Sequence, residues 1–182
     1  MDSKTRRDFL KTATVITGGC GAAALTWPFI AQLRPDSASQ DEAQIDVELE
    51  TIETGASLIV PWRGKPVVIR NRTIQEIEQA RATPLEALKD PLARNANLDA
   101  NHPALDEARC AGANLENWLI MVNLCTHLGC VPIGGTVENP GFFCPCHGSS
   151  YDTAGRVLTG PAGQNMAIPP YQFITNTLIR IG

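Results

Sequence analysis

The chain predicts an all-β soluble head, an antiparallel β-sandwich with a small metal-binding subdomain and one short helix, on a single N-terminal transmembrane helix. Three observations predict it. Short apolar runs separated by Gly and Pro recur from Ile45 to the C-terminus. No charge occurs between Thr12 and Leu33, behind a basic N-terminus. Four of the six cysteines and two of the three histidines fall between Cys125 and His147. A length of 182 residues allows one domain and an appendage. The formal charge of −4 gives no reason to expect a nucleic-acid partner.

Residues 1–11 contain Thr5-Arg6-Arg7-Asp8-Phe9-Leu10-Lys11, which resembles a twin-arginine export signal. Residues 12–34 follow as the anchor. At 1.5 Å per residue, the uncharged run can cross a bilayer core of about 30 Å. It is moderately apolar, with Gly18, Gly19 and Gly21 inside it and Trp27 near its far end, where aromatics favour the interface. A cleaved signal peptide is the competing reading, cut near Ala22–Ala24 or Ser37–Ser39. Basic residues ahead of the run place the N-terminus in the cytoplasm and the head in the periplasm, on the bacterial inner membrane. Residues 35–44 are small, polar and acidic and read as a flexible hinge, with extension of the helix as the alternative.

Residues 45–182 form the head. Ile45, Val47 and Leu49 alternate with acidic residues, as in an edge or half-buried strand. Ser57–Val60 and Pro66–Arg70 are short apolar runs, with Gly64-Lys65 read as the turn between them. Thr73-Ile-Gln-Glu76 is a capping box opening a helix to about Arg81. Thr83-Pro-Leu-Glu86 repeats the device, with Pro84 at the first helical position. Asp90–Asn117 is rich in Asn, Asp, Ala and Pro and reads as an irregular surface excursion, carrying an exposed His102 and a free Cys110. Trp118–Leu124 is the clearest buried strand. Gly134-Gly135 reads as a turn, Phe142-Phe143 as a short strand, and Asp152–Gly155 as another turn. Arg156–Leu158, Tyr171–Ile174 and Thr177–Ile181 complete a series that indicates an antiparallel sandwich. Trp62, Trp118 and the phenylalanines read as core.

The chemistry lies in two boxes, Cys125-Thr-His127-Leu-Gly-Cys130 and Cys144-Pro-Cys146-His147-Gly-Ser149. Each offers two cysteines and one histidine. Structural zinc is the first metal to consider, since Cys2His2 sites are common. Zinc fingers, however, pair like residues as C-x2-4-C and H-x3-5-H, whereas here each box mixes a thiolate with an imidazole.

The boxes resemble the cluster-binding signature of Rieske iron–sulfur proteins, in the disulfide-containing branch of quinol-oxidising cytochrome bc complexes. Gly64–Thr73 and Cys130–Gly134 resemble the bc1 subunits more than the b6f ones. The likeness covers essentially the whole chain and is weakest over Asp90–Asn117. It implies one [2Fe–2S] cluster, with Cys125 and Cys144 on one iron and His127 and His147 on the other, and a disulfide between Cys130 and Cys146. The cluster-binding part would span about 122–162. Neutral imidazoles in place of two thiolates make such a cluster less negative and easier to reduce. Ser149 and Tyr151 would donate hydrogen bonds to cluster sulfur and to Cys125. Gly160-Pro161-Ala162 would cover the cluster, and Leu128 and Gly129 would give an apolar docking face.

The function implied is that of the iron–sulfur subunit of a ubiquinol–cytochrome c reductase, active within the complex. His147 would accept a hydrogen bond and proton from quinol, with His127 as the second candidate. The electron would pass to a c-type haem of cytochrome c1. Implied partners are cytochromes b and c1, quinol, and membrane lipid around the helix, in a dimeric complex. The small subunit of a periplasmic oxidase such as arsenite oxidase remains an alternative class, and a structural-zinc binding module a remote one. Disulfide formation in an oxidising compartment agrees with export.

Overall fold

The computed structural model describes residues 3–32 and 43–182. It divides into two compact units, Met1–Asp41 and Glu42–Gly182. Most of the expected hinge, 35–44, lies outside the described residues.

In the first unit, α1 (Ser3–Gln32) is one continuous helix that contains Pro28. It begins ahead of the twin arginines, so signal and apolar run share one element. The segment Lys4–Gln32 is long and apolar enough to cross a membrane. Phe9, Leu10, Val15, Ile16, Leu25, Phe29 and Ile30 are all exposed on it, as a lipid-facing surface requires. Three of its threonines satisfy themselves: Thr12, Thr14 and Thr26 donate to the carbonyls of Asp8, Leu10 and Ala22 one turn back, at 2.9–3.0 Å. Internal satisfaction of this kind lets a hydroxyl enter an apolar medium.

The second unit is built from three antiparallel sheets. Its strands are β1 (Ile45–Glu48), β2 (Ser57–Trp62), β3 (Lys65–Asn71), β4 (Trp118–Val122), β5 (Ile133–Gly134), β6 (Phe142–Cys144), β7 (Ser149–Tyr151), β8 (Val157–Thr159), β9 (Tyr171–Phe173) and β10 (Leu178–Ile181). The sheet orders are β1-β10-β9, β2-β3-β4 and β5-β6-β7-β8. The middle sheet serves two cores. Val67, Ile69, Trp118 and Ile120 pack with Val47, Leu49, Ile179 and Ile181 of the first sheet. Val68, Leu119 and Met121 point the other way, onto Cys125, Phe142, Cys144, Tyr151 and Val157. Successive strand side chains face opposite ways. A strand buried on both faces must therefore be apolar throughout, as β4 is, while edge strand β1 alternates.

Several local readings shift. The β2–β3 turn is Arg63-Gly64, not Gly64-Lys65, because a two-residue hairpin turn needs two positive φ values, here 48° and 71°. Lys65 is already paired with Trp62 in the ladder. The capping box forms as expected and opens α2 (Ile74–Ala82). The second box does not. Thr83 caps the C-terminus of α2 and donates its hydroxyl to Gln79 O, leaving Pro84 to start a single 3-10 turn, Leu85–Ala87. Gly134 lies within β5, where the Gly141 carbonyl leaves no room for a Cβ; the turn itself runs through Thr136–Asn139. Phe142 is core, but Phe143, the next residue along β6, points outward and is exposed.

The largest correction concerns Asp90–Asn117. It is irregular, yet Ala93, Asn95, Ala104, Asp106, Ala108, Arg109 and Cys110 within it are buried. Its buried polar residues, Asp90, Asn95, Asp106 and Arg109, make internal hydrogen bonds while Asn97, Asp99, Asn101 and Asn114 face water, a division that composition cannot show. Arg72 forks onto Asp106, and Arg109 donates to the carbonyls of Ala93, Ala154 and Gly155. Burial lowers the Arg109 pKa to about 10, which still leaves it charged at neutral pH. Arg156 binds Asp152 and the carbonyls of Ala80 and Ala104. Arg70 binds Glu76, Gly55 O and the carbonyls of Gly135 and Thr136 beyond β5. His102 is half-buried in its loop and Cys110 is a buried free thiol.

Arg70→Ala would strand the buried Glu76 carboxylate and release the β5–β6 turn. We expect a loss of about 3–5 kcal/mol in stability, the usual result of breaking a buried pair from one side. Thermal unfolding of the head measures it, and a change within about 0.5 kcal/mol would contradict the assigned role.

Candidate metal centre

Box one leaves β4 and folds back on itself. The Cys125 N–H donates to Cys130 O, and the Gly129 N–H donates to Cys125 O. Gly129 has φ +79°, which a side chain would disfavour. Box two is a hairpin loop, Pro145–Gly148, between β6 and β7, with Cys144 paired to Ser149 across the ladder. The Gly148 N–H closes it onto Cys144 O, again at positive φ.

Like donors meet like. Cys125 and Cys144 belong to one buried cluster. His127 and His147 face each other edge-on, with ring centroids 4.7 Å apart. His147 is exposed and His127 half-buried. Among the described residues, one group of possible ligand atoms is compact: the sulfurs of Cys130, Cys144 and Cys146 lie within 4.8 Å of one another. Cys130 and Cys146 are neighbours within that group and are not bonded to each other here.

Burial opposes ionisation of Cys125, but hydrogen bonds from the Tyr151 hydroxyl, the His127 N–H, Cys144 and Ser149 outweigh it and lower its pKa. Cys144 is raised, by burial first and by Cys125 beside it. Tyr151 donates to Cys125 Sγ at 3.3 Å, and its oxygen receives the Thr126 N–H at 3.1 Å. Burial and the Cys125 contact push the Tyr151 pKa up to about 12, so it stays a donor. Ser149 is fully buried, and its oxygen accepts the Ala162 N–H at 3.0 Å. Pro161 is exposed between Gly160 and Ala162, and Leu128, 70 % exposed, crowns box one beside the exposed Gly129.

These residues fit a metal cluster. His127 Nδ1 is buried with no hydrogen-bond partner, a costly condition for an imidazole nitrogen that a metal ligand would relieve. Paired thiols and paired imidazoles suit two metal atoms, one with sulfur ligands and one with nitrogen ligands. Sequence reasoning located the cysteines, histidines, Ser149 and Tyr151. It missed Thr126 and a polar bracket behind the loop of residues 157–165. There Asp90 accepts the Asn165 N–H, Asn165 Nδ2 donates to Asp90 O and Leu92 O, and Lys89 reaches the carbonyls of Gly160 and Ala162. These partners lie some seventy residues apart, and no local pattern announces them.

Fold and site together define a Rieske-type [2Fe–2S] protein. Residues 106–172 match the Rieske [2Fe-2S] domain family, and residues 1–36 match the Ubiquitinol-cytochrome C reductase Fe-S subunit TAT signal. The chain is 48% identical over 179 residues to the ubiquinol-cytochrome c reductase iron-sulfur subunit of Cereibacter sphaeroides, covering 98% of this chain and 95% of that one. It is 44% identical over 182 residues to the same subunit of Bradyrhizobium diazoefficiens, covering 100% and 96%. Among solved structures it resembles a chain of a hyperthermophilic respiratory Complex III, with TM-score 0.51 and 25% identity over 94% of this chain and 98% of that one. The chain belongs to the family of ubiquinol–cytochrome c reductase iron–sulfur subunits.

Asp90 yields a pH prediction. Burial would raise its pKa, but hydrogen bonds from Arg94, the Asn165 N–H and the Leu92 N–H prevail and hold it below the ordinary carboxylate value. A depressed folded-state pKa contributes stability above the unfolded value, lost as pH falls through the folded one. Asp90→Asn should cost about 1–3 kcal/mol at neutral pH, typical of charged hydrogen bonds. It should also flatten the acid side of the stability profile. Melting temperatures of both proteins between pH 7 and pH 3 test this; parallel curves would contradict it.

Proposed function

We propose that this chain is the subunit that accepts one electron from quinol and delivers it to the c-type haem of cytochrome c1, in a dimeric complex with cytochromes b and c1. A [2Fe–2S] cluster, when bound, supplies the one-electron chemistry. The observation that carries the proposal is the division of the site into buried thiols and a paired set of imidazoles that reaches the surface. In this reading Cys125 and Cys144 hold one iron, and His127 and His147 the other. Cys130 and Cys146, already in contact, form a disulfide that ties the two boxes together. His147, the exposed imidazole, accepts the hydrogen bond from the quinol hydroxyl, and Leu128 and Gly129 beside it supply the apolar rim against which the ring docks.

Tyr151 donates its hydroxyl to Cys125 while its oxygen accepts the Thr126 N–H. In the same reading residues 12–34 anchor the subunit in the inner membrane, residues 35–44 tether it, and the head lies in the periplasm. The uncharged run of α1 and the basic residues in its first turns support that orientation.

Purification of the full chain from detergent-solubilised membranes tests the function. Cytochromes b and c1 should co-purify, with a Rieske EPR signal and quinol:cytochrome c turnover. A chain that purifies alone with zinc and no signal would overturn the proposal. Alanine at Cys125, His127, Cys144 or His147 should abolish the signal, whereas alanine at Cys130 or Cys146 should reduce cluster content without eliminating it. A normal signal in His127→Ala would refute the ligand set.

Tyr151→Phe removes a donor that favours the more negative, reduced state. One neutral hydrogen bond is worth about 1 kcal/mol, or roughly 40 mV for one electron. The midpoint potential should fall by at least about that much, at intact cluster content. A redox titration giving an unchanged or raised potential would contradict the assignment.

A further inference from the structure

We infer that Lys89 is a positioning residue for the cluster: its ammonium clamps the Gly160–Ala162 loop so that Ala162 holds the Ser149 hydroxyl in its donating orientation. The inference rests on the ligand assignment proposed above. Lys89 Nζ donates to Gly160 O at 2.5 Å and to Ala162 O at 2.8 Å. The two carbonyls flank Pro161, which has no N–H of its own to stiffen the loop. Charge-assisted bonds are stronger than neutral ones, and an ammonium has three donors to place.

The clamp is anchored at its base. The residue after Lys89 is Asp90, bound through its carboxylate and its carbonyl to Asn165 at the far end of the same loop. Residues 89 and 90 thus grip the loop at both ends.

On its inner side the loop lies against box two. A Cβ on Gly160 would come within 2.4 Å of Ser149 Cα, so loop and hairpin are in close contact and cannot shift independently. The Ala162 N–H donates to Ser149 Oγ at 3.0 Å. A hydroxyl has one hydrogen and two acceptor positions. The amide fixes the position of Ser149 Oγ and leaves its single hydrogen free to donate, on the strand that pairs Ser149 directly with Cys144. Lys89 touches no ligand among its hydrogen-bond partners; it acts on the centre through Ala162 and Ser149. The bland alternative is a surface lysine over two solvated carbonyls. Convergence on both carbonyls around Pro161, with the neighbouring residue fixed to the same loop, argues against it.

The test uses the full chain in its assembled complex, with Lys89→Met and Lys89→Arg each made in wild-type and Ser149→Ala backgrounds. EPR-monitored redox titration reads the midpoint potential, and signal amplitude reads cluster content. Lys89→Met should keep the signal and lower the potential, by less than Ser149→Ala does alone. Lys89→Arg, which keeps charge and donors, should restore most of the shift. In the Ser149→Ala background, Lys89→Met should have no further effect. An unshifted potential in Lys89→Met at normal signal would overturn the inference and leave the ligand assignment standing. A shift that persists in full without Ser149 would overturn it too, since that is a direct effect of charge. If Lys89→Met fails to assemble, Lys89→Gln is put through the same comparison. A wild-type chain without a Rieske signal would overturn the assignment and this inference together.

Discussion

Four guanidinium groups, those of Arg70, Arg72, Arg109 and Arg156, are almost wholly excluded from water, and the rest of the head depends on where they point. A buried cation is tolerable only if it is paired and hydrogen-bonded. Arg70, Arg72 and Arg156 each pair with a carboxylate, and all four give further donors to backbone carbonyls, with Arg72 Nε left without a partner. That arrangement resolves a difficulty in the fold. The cluster subdomain has strands of two or three residues and long stretches without regular structure, whose carbonyls would otherwise be buried unpaired. Arg70 and Arg72 donate to backbone carbonyls from β3 and just beyond it, Arg109 from the 90–117 segment and Arg156 from just before β8, and Arg70 thereby ties β3 to the β5–β6 turn.

The same economy reaches the metal site. Box one is held at its root by β4, whose inner face belongs to the second core. Box two is a hairpin loop fixed by its own ladder, and the Gly160–Ala162 loop closes the third side. Three segments distant in sequence therefore converge with little freedom, which preorganised ligands require. Burial grades across the site, from Cys125 and Cys144 at the core to His147 in solvent. Sulfur donors sit where dielectric is low and hydrogen bonds are directional, and an imidazole edge sits where a partner can reach it.

The hydroxyl and amide groups around Cys125 show how such a site is tuned without added charge. Tyr151 with Thr126, and Ser149 with Ala162, form two short relays in which a backbone N–H donates to the hydroxyl oxygen, and Tyr151 donates on to Cys125. Second partners of this kind govern metal sites as much as the ligands do.

Much of this was written locally in the chain. Cys125, His127, Cys144 and His147 stood out as candidate ligands by residue type and by their resemblance to a known cluster signature, and the structure sets the two imidazoles face to edge and buries both sulfurs. The uncharged run of α1, the capping box at Thr73 and the doubly buried β4 were equally legible, each being a pattern within one element. What tertiary structure decided was every partnership across distance. It turned Asp90–Asn117 from an apparent surface excursion into a buried scaffold, made Thr83 close a helix, and set Phe143 outward while Phe142 entered the core. It also placed Lys89 against a loop some seventy residues away. Sequence patterns report the period and chemistry of neighbours along the chain. A buried polar residue looks like an exposed one until the carbonyl that satisfies it is known, and that carbonyl is supplied only by the folded chain.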